Sequence, residues 1–246
     1  MYNLRDKVAI ITGASKGIGK ATGEKFAQMG ATTILVSHSG LDETEKKRLP
    51  RNHSEMSYGC DVSSEKQVSE MVADIIGRFS KIDILVNNAA ITQNKKLEDI
   101  SLSEWNFVIA TNITAQFLMC KYCVPFMKEQ RYGKIINVSS IAAKLYSAMS
   151  GIHYVTSKAA VIGFTRQLAY ELAPFNINVN AVCPGQTYTP MLMGNLTRKS
   201  EEMLKKSIPL GYIASPEQQA NVILFLASDE ANYMTGAIVD VNGGQL

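Results

Sequence analysis

The chain has 246 residues, of which 46% are hydrophobic and 19% charged, and a formal net charge of +3. That length supports one large domain, residues 1–246, with a substantial core, and the composition is that of an ordinary soluble globular protein. A charge so near balance, with no Lys/Arg-rich run, argues against a nucleic-acid partner, and no apolar run near the roughly 18–20 residues of a bilayer span suggests a membrane role.

The first strand is expected at Val8–Thr12, too close to Met1 to leave room for a signal peptide. Four cysteines without a disulfide framework fit a reducing compartment, the cytosol by default or an organellar matrix after removal of a presequence. Thr12-Gly13-Ala14-Ser15-Lys16-Gly17-Ile18-Gly19 then opens into a helical pattern. Glycines let a backbone turn sharply and approach a pyrophosphate, and a helix N-terminus offers free N–H groups and a positive dipole end. The spacing is G-x-x-x-G-x-G rather than G-x-G-x-x-G, so its place after the first strand carries the reading.

The second strand, Thr33–Ser37, ends in Ser37-His38-Ser39, where a dinucleotide site for NAD would carry an acid for the ribose 2′-hydroxyl. The first carboxylate is Asp42. Hydroxyls, an imidazole and Lys16 suit a 2′-phosphate, which favours NADP(H); the competing reading has Asp42 folding back to the ribose. The polar stretch Ser39–Ser54 reads as a surface helix and loop, with His53 solvated among charges.

Further strands are expected at Glu55–Gly59, Ile82–Asn87, Gly133–Ser139, Asn176–Ala181 and Ala237–Val241, with helical periodicity at Val68–Phe79, from Ser103 to about Lys128, and at Lys158–Leu172. Several strands are apolar almost without a break, as strands buried on both faces are. Alternation of this kind predicts a Rossmann-type α/β fold, a seven-stranded, mostly parallel sheet doubly wound by helices. Cys120-x-x-Cys123 sits in the long helix without a second ligand pair, so packing is favoured over metal or redox chemistry. The stretch 186–215, Met-rich and broken by Pro190, Gly194, Pro209 and Gly211, suits a substrate-binding lid.

Tyr154 and Lys158, at i and i+4 on one helix, share a face. A tyrosine of pKa near 10 is drawn towards the working range by a neighbouring ammonium. Ser139-Ser140 ends the fifth strand, where a hydroxyl could orient a carbonyl. Asn112 lies mid-helix, a poor place for Asn unless its side chain has partners. His153 is read as structural or pocket-lining, since neighbouring helix side chains diverge.

Together with Cys60-Asp61-Val62, Asn87-Asn88-Ala89-Ala90, Pro184-Gly185 and Val241-Asn242-Gly243-Gly244, these residues resemble the short-chain dehydrogenase/reductase family over essentially the whole chain. Within it, Asn87-Asn-Ala-Ala-Ile-Thr92, Glu104-Trp105-Asn106 and Thr111-Asn112 are similar to the 3-oxoacyl-[acyl-carrier-protein] reductases of fatty acid biosynthesis. The resemblance implies that Tyr154 protonates the carbonyl oxygen while the nicotinamide delivers hydride. Lys158 then lowers the tyrosine pKa and holds the ribose, Ser140 (or Ser139, if the register slips by one) orients the carbonyl, and Asn112 anchors a water relay. It further assigns Asp61 and Val62 to adenine, Asn88, Ala89 and Ala90 to the adenosine ribose, and Pro184, Gly185, Thr187 and Thr189 to the nicotinamide. Ala90 departs from the usual glycine. Partners implied are a carrier-bound acyl substrate, an acidic acyl-carrier protein met by Lys128, Arg131, Arg198 and Lys199 near the pocket mouth, and a homotetramer. Phe175 stands where carrier-using relatives often have a basic residue. Competing readings are a carbonyl, sugar or steroid dehydrogenase of the same family, and a non-catalytic nucleotide sensor; the intact Tyr154 and Lys158 argue against the last.

Overall fold

The computed structural model describes residues 2–40, 56–194 and 196–246. Seven parallel strands form one sheet: β1 (Val8–Thr12), β2 (Thr32–Ser37), β3 (Ser57–Gly59), β4 (Ile84–Asn87), β5 (Gly133–Val138), β6 (Ile177–Pro184) and β7 (Ile238–Val241), in the order 3-2-1-4-5-6-7. The helices are α1 (Gly17–Gln28), α2 (Glu65–Phe79), α3 (Leu102–Ile109), α4 (Ala115–Gln130), α5 (Ile152–Leu172), α6 (Pro190–Met193), α7 (Arg198–Lys206) and α8 (Pro216–Ala227). Of the helix and loop expected over Ser39–Ser54, everything from residue 41 on, Asp42 and His53 included, lies outside the described residues.

The central strands β1, β2, β4 and β5 are buried and largely apolar because both faces are covered. Val8 and Ile10 of β1, Ile34 and Val36 of β2, Leu85 of β4 and Ile135 of β5 join the core under α2, α4 and α5. Their alternating neighbours Ala9, Ile11, Leu35, Ile84, Val86 and Ile136 join a second core with Phe26 of α1 and Ile223 and Leu224 of α8. Side chains of period two thus point alternately into two cores, and each fully buried Ile or Leu contributes about 1.5–3 kcal/mol. Cys120 and Cys123 belong to the first core.

Among the described residues, one continuous helical stretch, Leu102–Gln130, is long and apolar enough by length and composition to cross a bilayer, against the expectation that no run would be. Its inner face, Ala115, Leu118, Met119, Cys120, Cys123 and Met127, is buried against the sheet. A capping box at Ser101 and Glu104 starts it, and a π-turn at Ala110–Thr114 divides α3 from α4. Strand order reverses between β1 and β4, so loops after these two strands diverge and leave a crevice at the carboxyl edge, the usual ligand position in such sheets.

Candidate active site

The crevice is a cleft of about 280 Å³. Its floor is the glycine-rich loop. Gly13 and Gly17 have φ of +65° and +60°, and a Cβ on Gly19 would stand 2.4 Å from the Gly13 carbonyl oxygen; only glycine permits this turn and this approach. Asn88, after β4, donates from Nδ2 to the carbonyls of Thr12 (2.9 Å) and Gly13 (3.2 Å). Thr12 Oγ1 accepts from the backbone N–H groups of Asn88 and Ala89. Gly17 faces Thr189, so the loop after β6 closes over the cradle. Glycine at these positions lets the loop pack this tightly at the start of α1, where the cleft is lined by Gly13, Ser15, Lys16, Gly17 and Ile18 and a phosphate can approach backbone N–H groups, which is the fit a dinucleotide requires.

Tyr154, Lys158 and Ser140 all line the same cleft. Tyr154 and Lys158 stand one turn apart on α5. Ser140 lies just beyond β5, within hydrogen-bonding reach of the Tyr154 hydroxyl. Ser139 turns the other way and donates to the Lys158 carbonyl at 2.7 Å, so the geometry gives the carbonyl-facing place to Ser140. One expectation is corrected. Burial holds the Tyr154 phenol above its ordinary value, with only the Ser140 hydrogen bond pulling it down. The Lys158 ammonium does not supply the lowering: its Nζ donates to the Val138 carbonyl at 2.8 Å and lies 5.8 Å from the tyrosine ring centre. Burial brings Lys158 itself down to about 8.

Asn112 is fully buried in the π-turn and does not line the cleft. Its Nδ2 donates to the Ile91 carbonyl (2.9 Å) and Ser157 Oγ (3.0 Å), and its Oδ1 accepts from the Ile91 N–H (2.9 Å). Ser157 in turn donates to the Tyr154 carbonyl. Both amide hydrogens are committed, so the expected anchoring of a water narrows to the second lone pair of Oδ1. Asn112 ties the loop after β4 to the helix that carries Tyr154. His153 is fully buried, its Nδ1 accepting from the Tyr154 N–H and its Nε2 facing Gln93 Oε1 at 3.3 Å.

The cleft therefore gathers Gly13, Ser15, Lys16, Gly17, Ile18, Asn88, Ala89, Ala90, Ser140, Tyr154, Lys158, Pro184, Gly185, Thr187 and Thr189 from the sequence-derived candidates. Gly19 packs beneath it. Ser37, His38 and Ser39, at the end of β2, and Asp61 and Val62, after β3, are not part of its lining. Val62 is buried in the core, which removes it as an adenine contact by its side chain. Asp61 Oδ1 accepts from the Ser63 hydroxyl (2.7 Å) and N–H, and these bonds with the nearby His38 hold the carboxyl pKa low. Ser37 Oγ is buried with no hydrogen-bond partner among the described residues.

Two expectations about the periphery change. Lys128 and Arg131 lie at the C-terminal end of α4, which has crossed back to the amino edge of the sheet. Lys128 sits over the Phe175 ring and Arg131 donates to the Pro174 carbonyl, so both are remote from the cleft mouth of this chain. In the stretch 186–215, Met191 lines the cleft, whereas Met193 and Met203 are exposed elsewhere. Leu192, Ile208 and Ile213 give that stretch a small core of its own. Cleft-lining residues to which sequence reasoning gave no role are Thr92, Ser147 and Met149.

Residues 13–245 match the family model described as enoyl-(acyl carrier protein) reductase. The chain is 42% identical over 243 residues to the 3-oxoacyl-[acyl-carrier-protein] reductase of Thermotoga maritima, covering 98% of each. It is 36% identical to the acetoacetyl-CoA reductase of Shinella zoogloeoides, covering 97% of this chain and 98% of that one. The crystal structure of levodione reductase superposes with a TM-score of 0.92 at 29% identity, covering 99% and 98% of the two chains. With this fold, this cleft and these relatives, the chain belongs to the short-chain dehydrogenase/reductase family of nicotinamide-dependent oxidoreductases.

Proposed function

We propose that the protein uses NADPH to reduce the 3-keto group of a 3-oxoacyl thioester. The observation that supports this reading is the meeting of Tyr154, Ser140 and Lys158 in one cleft with the glycine-rich cradle. NADPH, when bound, supplies a hydride from C4 of its nicotinamide. Gly13, Ser15, Lys16, Gly17 and Ile18 would hold its pyrophosphate, Asn88, Ala89 and Ala90 the adenosine ribose, Asp61 the adenine, and Pro184 to Thr189 the nicotinamide end. The Ser37 hydroxyl, without a partner among the described residues, together with His38, Ser39 and Lys16 suits a 2′-phosphate.

Toward the ketone, Ser140 donates a hydrogen bond to the carbonyl oxygen and Tyr154 gives that oxygen its proton. Burial keeps Tyr154 protonated at neutral pH, which is the form an acid must hold before the step. The phenolate left behind is stabilised by the Ser140 hydroxyl. With its pKa near 8, Lys158 can return a proton without strong pH dependence below neutrality. Asn112 keeps the tyrosine helix and the loop after β4 in register.

A thioester substrate is supported by the printed activities of the Thermotoga and Shinella relatives. A carrier-borne acyl group would meet Arg198 and Lys199 on α7. A small cyclic ketone is the second reading, supported by the likeness to levodione reductase. The exposed apolar side chains Leu102, Phe107, Phe117 and Ile152 on α3 to α5 would be covered in a homotetramer. Steady-state NADPH oxidation with acetoacetyl thioester, a cyclic diketone and an aldose tests the substrate class: kcat/KM at least 10-fold higher for the thioester is expected. A preference for either other substrate overturns it, and a preference for NADH overturns the cofactor.

A further inference from the structure

Thr92 follows Ile91 on the loop after β4 and lines the cleft with Tyr154 and Ser140. Its Oγ1 is buried and has no hydrogen-bond partner among the described residues. A buried hydroxyl left unsatisfied costs about 1–3 kcal/mol, and such groups in a native fold ask for an explanation.

Both neighbours of Thr92 are clamped to the helices of the catalytic centre. Ile91 gives its N–H to Asn112 Oδ1 and takes Nδ2 at its carbonyl. Gln93 accepts from the Gly151 N–H at 2.8 Å through its backbone carbonyl, and its side chain faces His153 Nε2. Gly151 is the N-cap of α5, and a Cβ there would lie 2.7 Å from the His153 ring. Three backbone hydrogen bonds and one side-chain contact thus fix the chain on either side of one residue whose own hydroxyl has no partner among the described residues. Rotation about χ1 between staggered wells would reorient that hydroxyl without moving the backbone. A hydroxyl on a fixed backbone, lining the same cleft as Ser140 and Tyr154 and given no acceptor among the described residues, matches a substrate with a second oxygen acceptor.

We infer that the Thr92 hydroxyl donates to the second carbonyl of the substrate, the thioester oxygen of a 3-oxoacyl group, and so sets preference for β-dicarbonyl compounds over isolated ketones. This rests on the thioester reading above. Ser140 and Tyr154 serve the carbonyl that is reduced, and Thr92 the one that is kept.

The test uses Thr92→Val and Thr92→Ser, with NADPH oxidation measured on acetoacetyl thioester, on a β-diketone without a thioester, and on a simple monoketone. Thr92→Val is expected to lower kcat/KM about 10- to 100-fold for the two dicarbonyl substrates, on the scale of one buried hydrogen bond. It should leave the monoketone within about 2-fold and NADPH affinity unchanged, and Thr92→Ser should restore most of the loss. An equal fall on all three substrates, or no fall on any, overturns the inference, as does a Thr92→Ser enzyme as impaired as Thr92→Val. If the wild type reduces the diketone but not the thioester, the thioester reading fails and Thr92 is judged on the diketone. If it reduces only monoketones, both fall.

Discussion

Asn112→Ala is the perturbation whose effect follows most directly from the geometry of the site. The asparagine makes three hydrogen bonds, at 2.9, 3.0 and 2.9 Å, to the Ile91 carbonyl, Ser157 Oγ and the Ile91 N–H. Alanine strands the Ile91 N–H and carbonyl in a partly buried loop, at about 1–3 kcal/mol for each group left unsatisfied. Ser157 is affected less, because its hydroxyl still donates to the Tyr154 carbonyl. Alanine recovers about 0.6 kcal/mol of helix propensity, and water reaches part of the loop. The net loss is about 2–4 kcal/mol, and at about 2–4 °C per kcal/mol for a chain of this size the melting temperature falls by about 5–15 °C. Because the same bonds hold Thr92 and α5 together, kcat/KM should fall at least 10-fold below the unfolding range. Thermal denaturation followed by fluorescence, with NADPH oxidation well below Tm, measures both. A variant that melts within 2 °C of wild type with full activity refutes the clamp.

Other outcomes follow from the same structure. Gly19→Ala places a Cβ 2.4 Å from the Gly13 oxygen and 2.5 Å from Asn88 Nδ2. Overpacking of this kind costs about 1–3 kcal/mol, and NADPH titration should show weakened binding with a lowered melting temperature. Lys134, 1% exposed, bonds Asn178 and Asn232 through Nζ, and burial brings it down to about 8. Between that value and the unfolded lysine value, the unfolded chain binds more protons, so this group's contribution to stability rises with pH from about 8 upward. Denaturant melts from pH 7 to 10 should show Lys134→Met gaining on wild type at pH 7 and losing that relative gain by pH 10. A pH-independent difference contradicts the reading.

How much of this was legible beforehand depended on what each residue advertises. The strands were readable because β-branched residues such as Ile10, Ile34 and Val86 run unbroken where both faces are buried. β6 extends to Pro184, three residues past the expected end, because Pro184 needs no N–H at the position where it pairs with Val241. The π-turn at Ala110–Thr114 was invisible in periodicity, since one wide turn hardly disturbs an apolar pattern, and only the ill-placed Asn112 hinted at it. Tyr154 and Lys158 could be paired from spacing. That the ammonium points at the Val138 carbonyl is a property of β5 lying beside α5, which no spacing records. Lys128 and Arg131 were assigned to the mouth because a sequence does not say at which edge of the sheet a helix ends.

The central claim is that Tyr154 is the proton donor for reduction by NADPH in this cleft, and Tyr154→Phe tests it most directly. NADPH oxidation with acetoacetyl thioester should fall by about 10²–10⁴-fold, the usual worth of a positioned general acid, while NADPH affinity and melting temperature stay near wild type. Turnover within 10-fold of wild type, with the fold and cofactor binding intact, would contradict the account.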